Sequence, residues 1–90
     1  MENHLHRKID EASEYCGVPG EVIIYFIEQE WVRPIDFVTP ILDEEDVARV
    51  RLIWDLRQNF GVNDESIPII LNLIDQLNLM HLSLKKFRIH

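Results

Sequence analysis

The sequence is short of cations where a folded body would display them. Between Ile9 and Leu84 there are fifteen acidic side chains against four basic ones, Arg33, Arg49, Arg51 and Arg57, a balance of −11. The remaining basic residues sit at the two ends, Arg7 and Lys8 at one, Lys85, Lys86 and Arg88 at the other. Affinity for duplex DNA comes largely from Lys and Arg neutralising phosphates, so a body of this charge should repel DNA and attract a basic partner. Cysteine is almost absent: Cys16 stands alone and cannot form an internal disulfide, which fits a reducing compartment. The start, "MENHLHRKIDEASEY", carries no apolar core of a secretory signal, and no apolar run approaches the length that crosses a bilayer. The expectation is a cytoplasmic protein with no membrane association. Long loops, low-complexity runs and internal repeats are missing too.

What is present is enough for one small domain. Ninety residues at 47% hydrophobic content supply a core, although a chain of this size buries little surface and gains from pairing with a second copy.

The chain reads as helices joined by short turns, an all-α or mostly α fold. In "IDEASEYCG", Ile9, Ala12, Tyr15 and Cys16 share a face and Gly17 is placed as a C-terminal stop. "VPGEVIIYFIEQEWV" follows with Pro19 in its first turn and Glu21 near the positive end of the helix dipole. Its six apolar residues from Val22 to Ile27 are compatible with a strand. Ile23, Phe26, Ile27 and Glu30 nevertheless follow the three-four rhythm of a helix, and a three-residue turn after Gly17 suits a helix pair.

"RPIDFVTPIL" alternates Ile35, Phe37 and Thr39 between Pro34 and Pro40, and reads as a short extended wing. "LDEEDVARVRLIWDLRQNF" is the clearest helix. Asp43 is its N-cap, acidic residues fill its first turn, and Val47, Val50, Ile53, Trp54 and Arg57 keep helical spacing. After the turn "GVNDES", Asp64 or Ser66 caps the last helix, with Pro68 in its first turn.

In that last helix Ile70, Leu73, Leu77, Met80, Leu84 and Phe87 are spaced 3, 4, 3, 4, 3. Two and a half heptads with apolar residues at both core positions predict self-association, most simply as a homodimer. Ile67, Leu71 and Ile74 widen the stripe toward the domain itself. The organisation expected is a helix-turn-helix domain over residues 1–63 and a self-association helix over 64–90.

No Gly-rich phosphate loop, no nucleophile beside a base and no carboxylate pair in an apolar cleft is visible, so neither enzymatic activity nor a cofactor is expected. His4 and His6 lie close to the chain start, and the acidic run Asp43–Asp46 lacks the spacing of a calcium loop, so no metal site is expected. A protein-docking face is the stronger expectation. Glu21, Ile24, Tyr25 and Glu28 recur at steps of three or four along one side of the second helix, combining apolar anchors with acidic neighbours. Glu44, Glu45 and an outward Asp55 extend the surface. Ile24 belongs either to this face or to the core.

The order of these elements resembles the MerR family of winged helix-turn-helix proteins over about residues 8–75. Tyr25 and Phe26 match the aromatic pair of the family's second helix, Trp31 and Val32 its apolar pair, and Pro34 its proline. Glu44, Glu45, Asp46 and Val47 match the acidic opening of the next helix, and Leu56 and Arg57 its end. The departures are as informative. The family's Arg falls on Ile24, its Gly falls on Glu30, and the wing "IDFVTPI" has a carboxylate and no cation. Cysteines of the metal- and redox-sensing members are missing near the long helix. In these losses, in length and in its leucine-rich final helix the chain is similar to the CbpM chaperone-modulator group. That resemblance implies binding to the J-domain of a CbpA-like, DnaJ-like co-chaperone, with restraint of its stimulation of DnaK and of its DNA association. The alternative is a MerR-like DNA-binding transcription regulator, with Arg49, Arg51 and Arg57 as unusual DNA contacts.

Overall fold

A computed structural model describes residues 6–88, with side chains described through Leu84. Of the residues singled out above, His4 lies outside the described residues, and so do the side chains of Lys85, Lys86, Phe87 and Arg88. The elements in chain order are β1 (Arg7–Lys8), α1 (Ile9–Cys16), α2 (Gly20–Glu28), β2 (Ile41–Leu42), α3 (Glu44–Gln58) and α4 (Ile67–Arg88). The fold is mostly helical, a winged helix-turn-helix with a short wing and a long final helix. β1 and β2 pair antiparallel, Arg7 opposite Leu42 and Lys8 opposite Ile41. This tie joins the start of the chain to the root of the wing. Sequence reading expected no strand at Arg7–Lys8, because two charged residues carry no periodicity.

Each boundary has a local cause. Gly17 takes φ 74° and donates its N–H to the Ser13 carbonyl at 2.9 Å, closing α1 through a left-handed residue that glycine adopts without steric cost. Pro19 precedes α2, and its carbonyl accepts the N–H groups of Val22 and Ile23 at 3.0 and 3.1 Å. At α3, Asp43 and Asp46 cap reciprocally. The Asp46 N–H donates to Asp43 Oδ1 at 2.8 Å, and the Asp43 N–H donates to Asp46 Oδ2 at 3.1 Å.

Two expectations need correction. Helix α2 stops at Glu28 instead of running on to Val32, because Glu30 takes φ 65°, a left-handed conformation. Glu30 is therefore not part of the helical rhythm. The wing, expected to be short and extended with its prolines limiting strand pairing, is mostly bends, and its pairing is indeed confined to Ile41–Leu42. Pro34 and Pro40 have no N–H to give a ladder, and the Asp36 carboxylate turns the backbone by accepting the Val38 N–H at 2.9 Å.

The core draws on every helix. Ala12 and Cys16 of α1, Ile23, Phe26 and Ile27 of α2, Val47, Val50 and Ile53 of α3, and Ile67 and Leu71 of α4 are buried, together with Val18, Trp31, Val32 and Leu42 between elements. Phe26 is the largest fully buried side chain. Its ring lies 6.3 Å from Tyr25 and 5.8 Å from Trp31, and Trp31 meets Tyr25 edge-on at 5.8 Å. Such tilted arrangements add about 0.5–1.5 kcal/mol per pair beyond area burial.

Helix α4 touches this core with its first turns only. Its segment Ile67–Leu84 has mean hydropathy 1.3 and 11% of it is buried, so by length and composition it is long and apolar enough to cross a membrane. That corrects the expectation from apolar runs: Asn72, Asp75 and Asn78 break any continuous run, yet leucine and isoleucine dominate the average. Ile67 and Leu71 are buried in the core and Asp75 pairs with Arg49, so the first half of the segment is fixed to the helix-turn-helix body.

Glu30 supplies a test. A left-handed L-residue costs about 1–2 kcal/mol relative to glycine, partly offset by the extra freedom glycine has when unfolded. The Glu30–Arg33 ion pair at 3.8 Å is exposed on both sides and adds little. Glu30→Gly should raise the unfolding free energy by about 0.5–1 kcal/mol in urea titrations. A destabilised variant would refute this account of where α2 ends.

Candidate functional site

The helix in the second position of a helix-turn-helix is the one that faces a ligand, so the site is built from α2 outward. Its core side is Ile23, Phe26 and Ile27. Its solvent side carries Glu21 and Glu28, both exposed, and Ile24 at 45% exposure. The choice left open for Ile24 resolves toward the surface. Three of the four residues expected on this face thus lie together along about two helical turns.

Tyr25 is placed differently. It is half-buried and its hydroxyl donates to Asp64 Oδ2 at 2.7 Å, on the loop before α4. Asp64 Oδ1 in turn holds Arg57 Nε at 3.0 Å, and the Arg57 guanidinium lies 5.5 Å from the Tyr25 ring and 5.6 Å from that of Phe26. The hydrogen bond to Asp64 raises the Tyr25 pKa above the ordinary tyrosine value, helped by burial and by the Asp64 charge and opposed by Arg57. The phenol stays protonated as a donor, and the side chain is anchored at the edge of the α2 face.

The acidic residues expected to extend this surface are dispersed. Glu44 is exposed but accepts Arg7 Nη1 at 3.0 Å, and Arg7 also stacks 3.7 Å above the exposed Tyr15 ring. Glu45 lines a separate cavity of about 640 Å³ between the start of α3 and α4, where Trp31, Arg49, Ile74 and Asp75 also converge. Asp55, expected to point outward, is half-buried. It lies 3.3 Å from Arg51 and accepts the Asn59 side-chain amide at 3.3 Å. Among the described residues, no group of three His, Cys, Asp or Glu side chains is arranged to hold a metal ion.

Sequence reading missed two components. The first is the wing tip. Ile35, Phe37 and Val38 are 89%, 58% and 91% exposed, an apolar hook where the pattern suggested a short extended wing. The second is a groove of about 690 Å³ formed where α1, α2 and the end of the wing meet, with Ile24 in its lining. The flanking prolines signalled a rigid wing, but no local pattern reveals which of its side chains lack a neighbour.

The arginines of α3 are engaged within the fold. Arg49 donates to the Trp31 carbonyl and pairs with Asp75 at 2.9 Å, Arg51 donates to the Cys16 carbonyl at 2.8 Å, and Arg57 holds Asp64. On α4, Ile70 is half-buried, whereas Leu73, Leu77, Met80 and Leu84 are 55–64% exposed. At 100° per residue these fall on one stripe, turned away from the buried Ile67 and Leu71.

Compared with known proteins, the chain matches the family described as MerR HTH family regulatory protein over residues 8–88. No curated protein and no solved structure matches it.

The cap of α3 carries a pH signature. Burial, with a smaller contribution from the neighbouring Asp43 charge and offset by a backbone hydrogen bond from Asp43, raises Asp46 from 3.8 to about 6. The folded-state pKa lies above the unfolded one, so this group's contribution is most favourable below the unfolded value and is lost as pH rises through about 6. Asp46→Asn keeps an acceptor for the Asp43 N–H without the charge. The stability of this variant relative to wild type should therefore climb between about pH 4 and pH 6 and level off above. Urea midpoints across that range check it, and a pH-independent difference would contradict the assignment.

Proposed function

The chain belongs to the MerR helix-turn-helix family of regulatory proteins, and from that premise we propose that it regulates by docking a basic protein surface instead of duplex DNA. The specific reading is a chaperone modulator of the CbpM type, which covers the J-domain of a DnaJ-like co-chaperone and thereby restrains that protein's stimulation of DnaK and its association with DNA. One observation carries this reading. The solvent side of α2 presents Glu21, Ile24 and Glu28, while Arg7, Arg49, Arg51 and Arg57 each lie within 2.9–3.3 Å of a carboxylate of the same chain. Cations held this way give up a carboxylate of their own chain before they can release counterions from a phosphate backbone, which lowers the gain. An acidic, partly apolar face instead steers toward a basic surface and is completed by desolvated anchors. The DNA-binding alternative needs Arg49, Arg51 and Arg57 to leave those partners.

Binding kinetics to an isolated J-domain and a gel shift with duplex DNA test the reading together. Wild type should bind the J-domain and leave DNA unshifted at physiological salt. Charge reversal of Glu21 and Glu28 together should slow association by about tenfold and flatten its salt dependence. A salt-sensitive, sequence-selective DNA shift would defeat the proposal and promote the transcription regulator.

Self-association through α4 belongs to the same proposal. Leu73, Leu77, Met80 and Leu84 form an exposed apolar stripe of the kind a second copy covers. Wild type should sediment as a homodimer, and Leu77→Asp, which sets an unpaired charge in the seam, should sediment as a folded monomer. A monomeric wild type at tens of micromolar would refute the pairing.

A further inference from the structure

The groove beside Ile24 has a composition that specifies an occupant. Its apolar surface comes from Ile9, Gly20, Ile24 and Pro40, and three carboxylates, Asp10, Glu14 and Glu21, line it against a single cation, Lys8. Those three are exposed. Gly20 contributes no side chain, and Ile9 lies so close that a Cβ there would meet its Cγ2 at 3.4 Å. The chain immediately before the groove's Thr39 and Pro40 carries Phe37 and Val38, 58% and 91% exposed. The wing presenting them is held by the buried Pro34 and by the Asp36 carboxylate on the Val38 N–H at 2.9 Å. Apolar side chains fixed in solvent by a braced turn lose little conformational freedom on binding.

We propose that this groove is the docking site for a basic amphipathic helix of the partner protein. The apolar side of that helix lies against Ile24 and Pro40, its Lys and Arg residues face Asp10, Glu14 and Glu21, and Phe37 and Val38 of the wing close over it. The inference rests on the reading that the chain docks a basic protein, and it names the chemistry of the segment bound. Three carboxylates against the one Lys8 leave the groove net negative, which disfavours phosphates, whether of nucleic acid or of an anionic lipid surface. An added strand is disfavoured because Pro34 and Pro40 interrupt the wing's hydrogen-bonding edge. A second copy is disfavoured because it would bring another body of charge −11 against the same carboxylates.

The test uses the isotope-labelled full chain and two synthetic peptides of leucine and lysine, one patterned as an amphipathic helix and one with the same composition permuted out of that pattern. The patterned peptide should shift the amides of Ile9, Gly20, Ile24 and Thr39 saturably and bind at least about tenfold more tightly than the permuted one. Ile24→Ser, and Phe37→Ser with Val38→Ser, should each weaken it by about tenfold or more. These positions are exposed, and unchanged circular dichroism and melting temperature verify the fold. No binding, shifts elsewhere, equal binding of the permuted peptide, or unaltered affinity in the folded variants would each overturn the proposal. Saturable shifts of the same amides by duplex DNA or by anionic vesicles would overturn it too. The same variants against an isolated J-domain separate the two readings. Undiminished J-domain binding by the variants removes the groove and leaves the co-chaperone reading standing. Peptide docking in the groove without any J-domain binding keeps the groove and removes the co-chaperone.

Discussion

Three guanidinium groups of α3 hold the rest of the molecule in place. Arg51 reaches the carbonyl that ends α1, at Cys16, Arg49 reaches the Trp31 carbonyl and then Asp75 of α4, and Arg57 joins Asp64 while lying over Tyr25 and Phe26. The carbonyls of Cys16 and Trp31 lie at the end of α1 and in the turn after α2, where helical partners are missing. The ion pairs add ties to α4 and to the loop before it. A charged donor on a carbonyl contributes more than a neutral one, about 1.5–3 kcal/mol where it is partly buried. The arrangement ties electrostatics to architecture: the cations of α3 are engaged with carbonyls and carboxylates of the same chain. Each ion pair takes up one charge of either sign, so the acidity of the surface is the excess of carboxylates already in the sequence.

The chain's local signals foretold much of this and missed it in explicable places. Asp43 as a cap, Val47, Val50 and Ile53 as a core stripe, and Gly17 as a stop are encoded within one or two turns, and the structure has them there. Placing the family's glycine on Glu30 was legible too, and the left-handed backbone at Glu30 gives that register a physical basis, although it ends the helix that the apolar rhythm seemed to continue. Long-range partners were not legible. Tyr25 and Asp64 are separated by 39 residues, and Arg49 and Asp75 by 26, so no window of sequence contains both members. Asp55 looked outward for a different reason: Arg51 and Asn59 are only four residues away, but their engagement depends on rotamers set by the surrounding packing. The wing's exposure likewise follows from the absence of neighbours, which a sequence does not record.

Helix α4 is organised as two stripes out of phase. The buried stripe is short, Ile67 and Leu71 with Ile74 half-covered, and the exposed one runs from Leu73 to Leu84 about a third of a turn or more around the axis. Ile69 is exposed too, and so is every described side chain from Asp75 to Leu84, Leu79 and Leu82 included. A helix of 22 residues contributes little to its own core because it runs on past the body.

The offset also governs valence. None of the residues lining the groove beside Ile24 comes from α4, so pairing of two copies along the exposed stripe need not use any of the groove's own residues. An assembly with two open grooves meets a partner bearing two matching segments as a chelator meets a bidentate ion. The second contact forms at an effective concentration set by the spacing between grooves and not by the bulk, so weak single contacts can sum to tight retention that is lost when the pair separates. Under that arrangement, the expression level of the chain itself would control how firmly its partner is held.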